Sequence, residues 1–110
     1  MAPARIERWD VRLDGSLSED ALLRKIEHLG FVLAARTYPS TLAGATSHPR
    51  EGVTAVVRGL VKLTINGEPE LLTAGDVAFV PAGAERRLEM VGPAPALCLE
   101  AFVREEGMGA

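Results

Sequence analysis

The sequence predicts a mainly β domain, an antiparallel sandwich or barrel preceded by one short helix, and three observations carry that prediction. From Phe31 onward, short segments rich in Val, Leu, Thr and Phe are interrupted by Pro39, Gly44, Pro49, Gly59, Asn66-Gly67, Gly75, Pro81, Gly83 and Pro93, the punctuation of many short strands. Asn66-Gly67 stands between two alternating stretches, where it forms a strong hairpin turn. No helical pattern of roughly 10–15 residues separates the strands, which excludes a parallel sheet built from βαβ units.

The helix is predicted over Ser16–Gly30, SLSEDALLRKIEHLG. Ser16 and Glu19 have the spacing of a capping box, and acidic residues fill the first turn. Leu22, Ile26 and Leu29 recur at i, i+4 and i+7 as an apolar face, and Gly30 supplies the stop. Lys25 and His28 lie toward the C-terminal end, so His28 is accounted for as a partner of the helix dipole. Among the strands, Leu63 and Ile65 alternate with Lys62 and Thr64. A further strand resumes over Glu70–Thr73, and Ala74-Gly75-Asp76 turns again. Pro81 and Gly83 end the strand that begins after Gly75 and redirect the chain. The closing EEGMGA reads as a frayed tail.

A chain of 110 residues fits one domain, residues 1–110, with a strand and helix lead-in over 1–30, a barrel over 31–104 and a tail over 105–110. No apolar run approaches the roughly 20 residues that span a bilayer, and MAPARIERWD carries charge where a secretory signal needs apolar residues. The expectation is a cytoplasmic protein with no membrane partner. The net charge of −3 is built from interspersed acids and bases, which leaves no footprint for a phosphate backbone. Aromatic residues are too scarce for a base-stacking platform. Nucleic acid is excluded and a small-molecule ligand is expected. The single cysteine, Cys98, lies in the apolar run ALCLEAF and suits a buried thiol. Val53, Ala55 and Val57 form an apolar outward alternation, from which a homodimer is expected.

Gly75-Asp-Val-Ala-Phe-Val-Pro81-Ala-Gly83 has the G-x5-P-x-G spacing of the second motif of the cupins. Thr46-Ser-His48-Pro-Arg-Glu51-Gly52, followed by Val53-Thr-Ala-Val-Val-Arg-Gly59, resembles the first, H-x-H-x3-E-x6-G. Over residues 46–90 the chain thus resembles a small single-domain bacterial cupin, which implies a double-stranded β-helix, the RmlC-like jelly roll. The resemblance also implies a divalent metal held by two histidines and a glutamate of the first motif and one histidine of the second. Counting back from Gly59, the glutamate position falls on Gly52, the second histidine on His48 and the first on Thr46. Counting three past Gly83, the last histidine falls on Arg86. His48 is therefore the only ligand matching the family pattern, and the metal site is read as degenerate, with no cofactor.

A guanidinium stays protonated and offers no lone pair to a cation. The position instead suits a small polar or anionic molecule, with Arg86, His48, Thr46 and Thr54 as ligand-binding residues. Internal pairing of Arg86 with Glu51, Glu89 or Glu100 is the other reading, since a buried guanidinium requires a partner. The same acids are the candidates for a rebuilt site taking iron, manganese, nickel or zinc. Glu51 is expected to point outward, and Gly52 to leave space. The enzymatic alternatives are a metal-dependent dioxygenase, isomerase or decarboxylase with an irregular site, or a metal-independent catalyst with His48 as acid and base.

Overall fold

A computed structural model describes residues 4–41 and 44–104; the frayed tail expected over 105–110 lies outside them. The elements run β1 (Ile6–Glu7), α1 (Val11–Asp14), α2 (Glu19–His28), β2 (Phe31–Thr37), β3 (Gly52–Arg58), β4 (Val61–Ile65), β5 (Glu68–Leu72), β6 (Val77–Val80), β7 (Arg86–Met90) and β8 (Leu97–Val103). The strands form a five-stranded sheet, β1-β6-β3-β8-β2, and a three-stranded sheet, β5-β4-β7. Every pairing is antiparallel.

Turn chemistry sets the three-stranded sheet. Asn66 and Gly67 both have positive φ, 48° and 85°, the conformation of the type I′ turn whose twist matches the strands it joins. The hairpin register follows from it, Ile65 opposite Glu68 and Val61 opposite Leu72. The second strand of the hairpin begins at Glu68, two residues before the expected start, because the tight turn lets pairing resume at once.

Alternation then divides the apolar residues between two cores. Val56, Leu63, Leu72, Val80, Leu88 and Cys98 fill the space between the sheets. Val53, Ala55, Phe79 and Leu99 point to the other face of the five-stranded sheet, where Leu22 and Ile26 of α2 cover them together with Phe31. Leu22 and Ile26 are fully buried, and each contributes about 1.5–3 kcal/mol relative to an exposed side chain. The apolar face of Val53 and Ala55 is therefore covered from within the chain, and Val57 packs against the same cluster. That removes the ground on which a homodimer was expected.

The lead-in differs from the expected single helix. The cap of α2 is Ser18, whose Oγ accepts the Ala21 N–H at 3.0 Å, and not Ser16. A cap must sit immediately before the helical dihedrals begin, and those begin at Glu19. Leu29 is the C-cap and is 38% exposed, so the buried stripe ends at Ile26. Ahead of α2, Asp10 caps the one-turn α1 by accepting the Arg12 N–H at 2.9 Å. Trp9 packs against the turn before β6 so closely that a Cβ on Gly75 would stand 2.5 Å from the Trp9 Cβ. Arg8 donates to the buried Asp76 carboxylate at 2.5 Å, and Asp76 also accepts the Thr73 N–H at 2.9 Å. The Gly75-Asp76 turn thus fastens the N-terminal arm to the barrel. Among the described residues no helix is long and apolar enough to cross a membrane.

Candidate ligand site at the barrel mouth

Arg86 opens β7, and period-two alternation decides where it points. Arg86 and Leu88 are buried while Arg87 between them is exposed. The segment 46–48 is stitched alongside. Thr46 and Arg86 exchange backbone hydrogen bonds at 2.8 and 2.7 Å, and the Gly83 N–H donates to the His48 carbonyl at 2.8 Å. On β8, opposite the inner residues of β3, the alternation runs Cys98, Glu100, Phe102, with Glu100 in register with Thr54 and Phe102 with Gly52.

The two alternations meet in an ion pair. The Arg86 guanidinium contacts one carboxylate oxygen of Glu100, and the other accepts from the Thr37 hydroxyl at 2.5 Å. Their side chains are only 9% and 17% exposed. Burial pushes the Arg86 guanidinium down from its ordinary value, yet arginine remains protonated in proteins. Of the three acids considered from the sequence, only Glu100 reaches this position. Glu51 is exposed at the foot of β3. Glu89 turns to the other face of its sheet and pairs with Lys62 at 3.7 Å.

His48 stacks on Phe102 with ring centroids 3.6 Å apart. Its Nδ1 accepts the Arg50 N–H at 3.1 Å, so in the neutral ring the proton sits on Nε2. Neutral His48 is thus a hydrogen-bond donor at Nε2. Phe102 also settles the fate of Gly52. A Cβ there would meet the Ala101 carbonyl oxygen and the Phe102 ring, both at 2.8 Å. The expectation that Gly52 leaves space is corrected: the room is filled by the aromatic ring from the next strand. The other expected residues separate. Thr46 is at the surface of the mouth, whereas Thr54 is fully buried beneath it, its hydroxyl without a hydrogen-bond partner among the described residues.

Two hollows flank the pair. One, about 220 Å³, is lined by Ala34, Ala35, Thr46, His48, Arg86, Glu100 and Phe102, among others. The second, about 270 Å³, lies toward Tyr38, Ser40 and Leu88 and shares Thr46, Arg86 and Glu100 with the first. Room on the first side comes from β2, whose pairing with β8 slips between Leu33 and Ala35. Such a bulge bends the strand, and the small Ala34 and Ala35 leave a hollow beside the acid. Glu100 was one of three acids named from the sequence, and Phe102 was not singled out. The period-two run from Cys98 through Glu100 to Phe102 was the signal for both.

The donor set does not fit a divalent metal. The nitrogen of His48 directed away from Arg50 carries a proton, both oxygens of Glu100 are engaged, and Arg86 brings a positive charge. Among the described residues no three His, Cys, Asp or Glu side chains gather as a metal site.

A family model described as a cupin domain matches residues 36–102. Among solved structures, the chain is similar to a predicted oxalate decarboxylase from Thermotoga maritima, at 22% identity and a TM-score of 0.60 over 74% of each chain. It is similar to a cupin protein from Bacteroides fragilis at 22% identity and a TM-score of 0.57, over 68% of this chain and 67% of that one. An RmlC-like cupin from Shewanella frigidimarina matches at 22% identity and a TM-score of 0.55, over 66% and 65%. Likeness at this level of identity shows the fold. No curated protein matches the chain by sequence.

Proposed function

Because the chain belongs to the cupin family, whose barrel encloses a small cavity at its mouth, we propose that it binds a small polar or anionic molecule there without a metal. The observation that carries this reading is the hollow of about 220 Å³ that Thr46, His48 and Arg86 border together; the Arg86–Glu100 pair in its wall is the internal partnership named from the sequence as the other reading. A concave site with convergent polar groups is a common form of a small-ligand site, and here Thr46, Ser47, His48, Arg86 and Glu100 converge beside Ala34, Ala35 and Phe102. Arg86 supplies a planar fork for a carboxylate or phosphate, His48 Nε2–H supplies a second donor, and Thr46 lies at the rim.

Catalysis by His48 as a general base would need a free lone pair on Nε2. The Arg50 N–H on Nδ1 favours the opposite tautomer. The neighbour described as a predicted oxalate decarboxylase makes decarboxylation the rival reading, and the donor set weighs against a metal-dependent form of it.

Metal analysis of protein purified without chelator is the direct test. Stoichiometric iron, manganese, nickel or zinc, lost on His48→Ala, would overturn the proposal. In a thermal-shift screen of small carboxylates, phosphates and sugars, a stabilising compound is expected whose effect disappears in Arg86→Ala.

A further inference from the structure

The Arg86 guanidinium already holds a carboxylate, that of Glu100, and the surroundings of the pair indicate which partner can leave. Glu100 is the more exposed of the two, 17% against 9%. It lies on β8 beside the bulged stretch of β2, where Ala34 and Ala35 are themselves exposed. Arg86 is fixed at the inner end, its backbone bonded on both sides to Thr46. Two hollows, about 220 and 270 Å³, border the acid and would receive its side chain or an incoming molecule.

The donors around Glu100 are arranged for a planar, two-oxygen acceptor. One oxygen contacts Arg86 and the other accepts a hydrogen bond from the Thr37 hydroxyl at 2.5 Å. His48 lines the hollow of about 220 Å³, whereas Thr37 lines the one of about 270 Å³, and Arg86 and Glu100 border both. Were Glu100 to swing outward, Arg86 would be left to the carboxylate of another molecule, because that is the group it now holds, while the Thr37 hydroxyl serves only to anchor Glu100. A guanidinium discriminates by this fork geometry as well as by charge.

Resting on the reading of a small polar-ligand site, we propose that Glu100 is a built-in competitor and that the ligand is a small monocarboxylate exchanging with it on Arg86. Exchange replaces one carboxylate–guanidinium pair with another, so the wild-type protein binds weakly. The affinity is set by how readily Glu100 gives way. Neutralising Glu100 leaves Arg86 without a counter-charge and strengthens the site, while loosening its second anchor at Thr37 does so to a smaller degree.

The test is a titration followed by the backbone amide NMR signals of Arg86 and Thr46, with propanoate, inorganic phosphate and glycerol as probes. Glu100→Gln is expected to bind propanoate at least about tenfold more tightly than wild type, the effect of ~1.4 kcal/mol. Thr37→Val, which keeps both charges, should show a smaller gain in the same direction, and Arg86→Gln no saturable shift. Phosphate, tetrahedral where Glu100 is planar, should bind more weakly than propanoate. Should Glu100→Gln fold poorly, Thr37→Val carries the same comparison. Equal propanoate affinity in wild type, Glu100→Gln and Thr37→Val would overturn the competitor role while leaving an Arg86-dependent site in place. Saturable shifts with glycerol or phosphate but none with propanoate would keep the polar-ligand reading and overturn the carboxylate class. No saturable shift with any probe, in wild type or Glu100→Gln, would remove both.

Discussion

Replacing Arg86 with methionine removes the guanidinium from a pair in which both side chains are largely out of water, 9% and 17% exposed. Glu100 would then keep a buried charge with, among the described residues, the Thr37 hydroxyl as its hydrogen-bond partner. Removing one member of a buried pair costs about 3–5 kcal/mol, and the partial access of Glu100 to solvent places this case near ~3 kcal/mol. For a domain of this size that is a fall in Tm of about 12 °C, at ~4 °C per kcal/mol. Glu100→Leu should cost as much or more, since the more deeply buried arginine cannot neutralise itself. The double variant, Arg86→Met with Glu100→Leu, replaces both charges by apolar groups and should return to within about 1 kcal/mol of wild type or exceed it. The four proteins form a cycle, measured by equilibrium urea unfolding, in which the coupling should reach at least ~2 kcal/mol. Single variants whose losses simply add, or an Arg86→Met protein within about 0.5 kcal/mol of wild type, would refute the reading of a buried, mutually dependent pair.

Gly52→Ala should destabilise by about 1–3 kcal/mol through overpacking, because its Cβ meets a backbone carbonyl as well as the Phe102 ring; urea denaturation checks this, and an unchanged midpoint would contradict it. Thr54→Val should stabilise by ~1 kcal/mol, since it removes a buried hydroxyl without a partner at nearly constant volume; a loss of stability in the same assay would instead indicate that the hydroxyl is engaged. Burial pushes the Cys98 thiol up to about 12 from an ordinary 9.0. The unfolded thiol therefore ionises first, so stability is complete below about pH 9 and falls above it toward pH 12, by roughly 1.4 kcal/mol per pH unit. Cys98→Ala should flatten that alkaline fall in unfolding curves recorded across pH, and an unchanged slope would rule out the thiol as its source.

Features written in adjacent residues were legible in the sequence. The Asn66-Gly67 turn, the strand between Gly75 and Pro81, the outward side chain of Arg87 and the exposed Glu51 all follow from turn chemistry or period-two alternation. The family motifs brought Thr46, His48 and Arg86 together from separated stretches of chain, and they do border one hollow. The partner of Arg86 was narrowed to three acids and no further. Choosing Glu100 requires knowing how β8 registers on β3 and how β2 bulges against it, and both are long-range pairings that no local pattern encodes. The same holds for Phe102, which occupies the space opposite Gly52 from a strand fifty residues away in sequence. The cover that α2 lays over Val53 and Ala55 was likewise invisible, because alternation tells which face a residue points to and not what lies against that face.

Arg86 belongs to the three-stranded sheet and Glu100 to the five-stranded one. Their contact is therefore a strut between the two sheets at the mouth of the barrel. Any molecule that takes Arg86 from Glu100 must break that strut, so the free energy that braces the mouth is drawn from the same contact that would hold a ligand. Variants selected for a stiffer barrel should lose affinity, and variants selected for affinity should have looser mouths. Rigidity and occupancy are in this way tied to a single pair of side chains, and evolution can adjust one only by trading against the other.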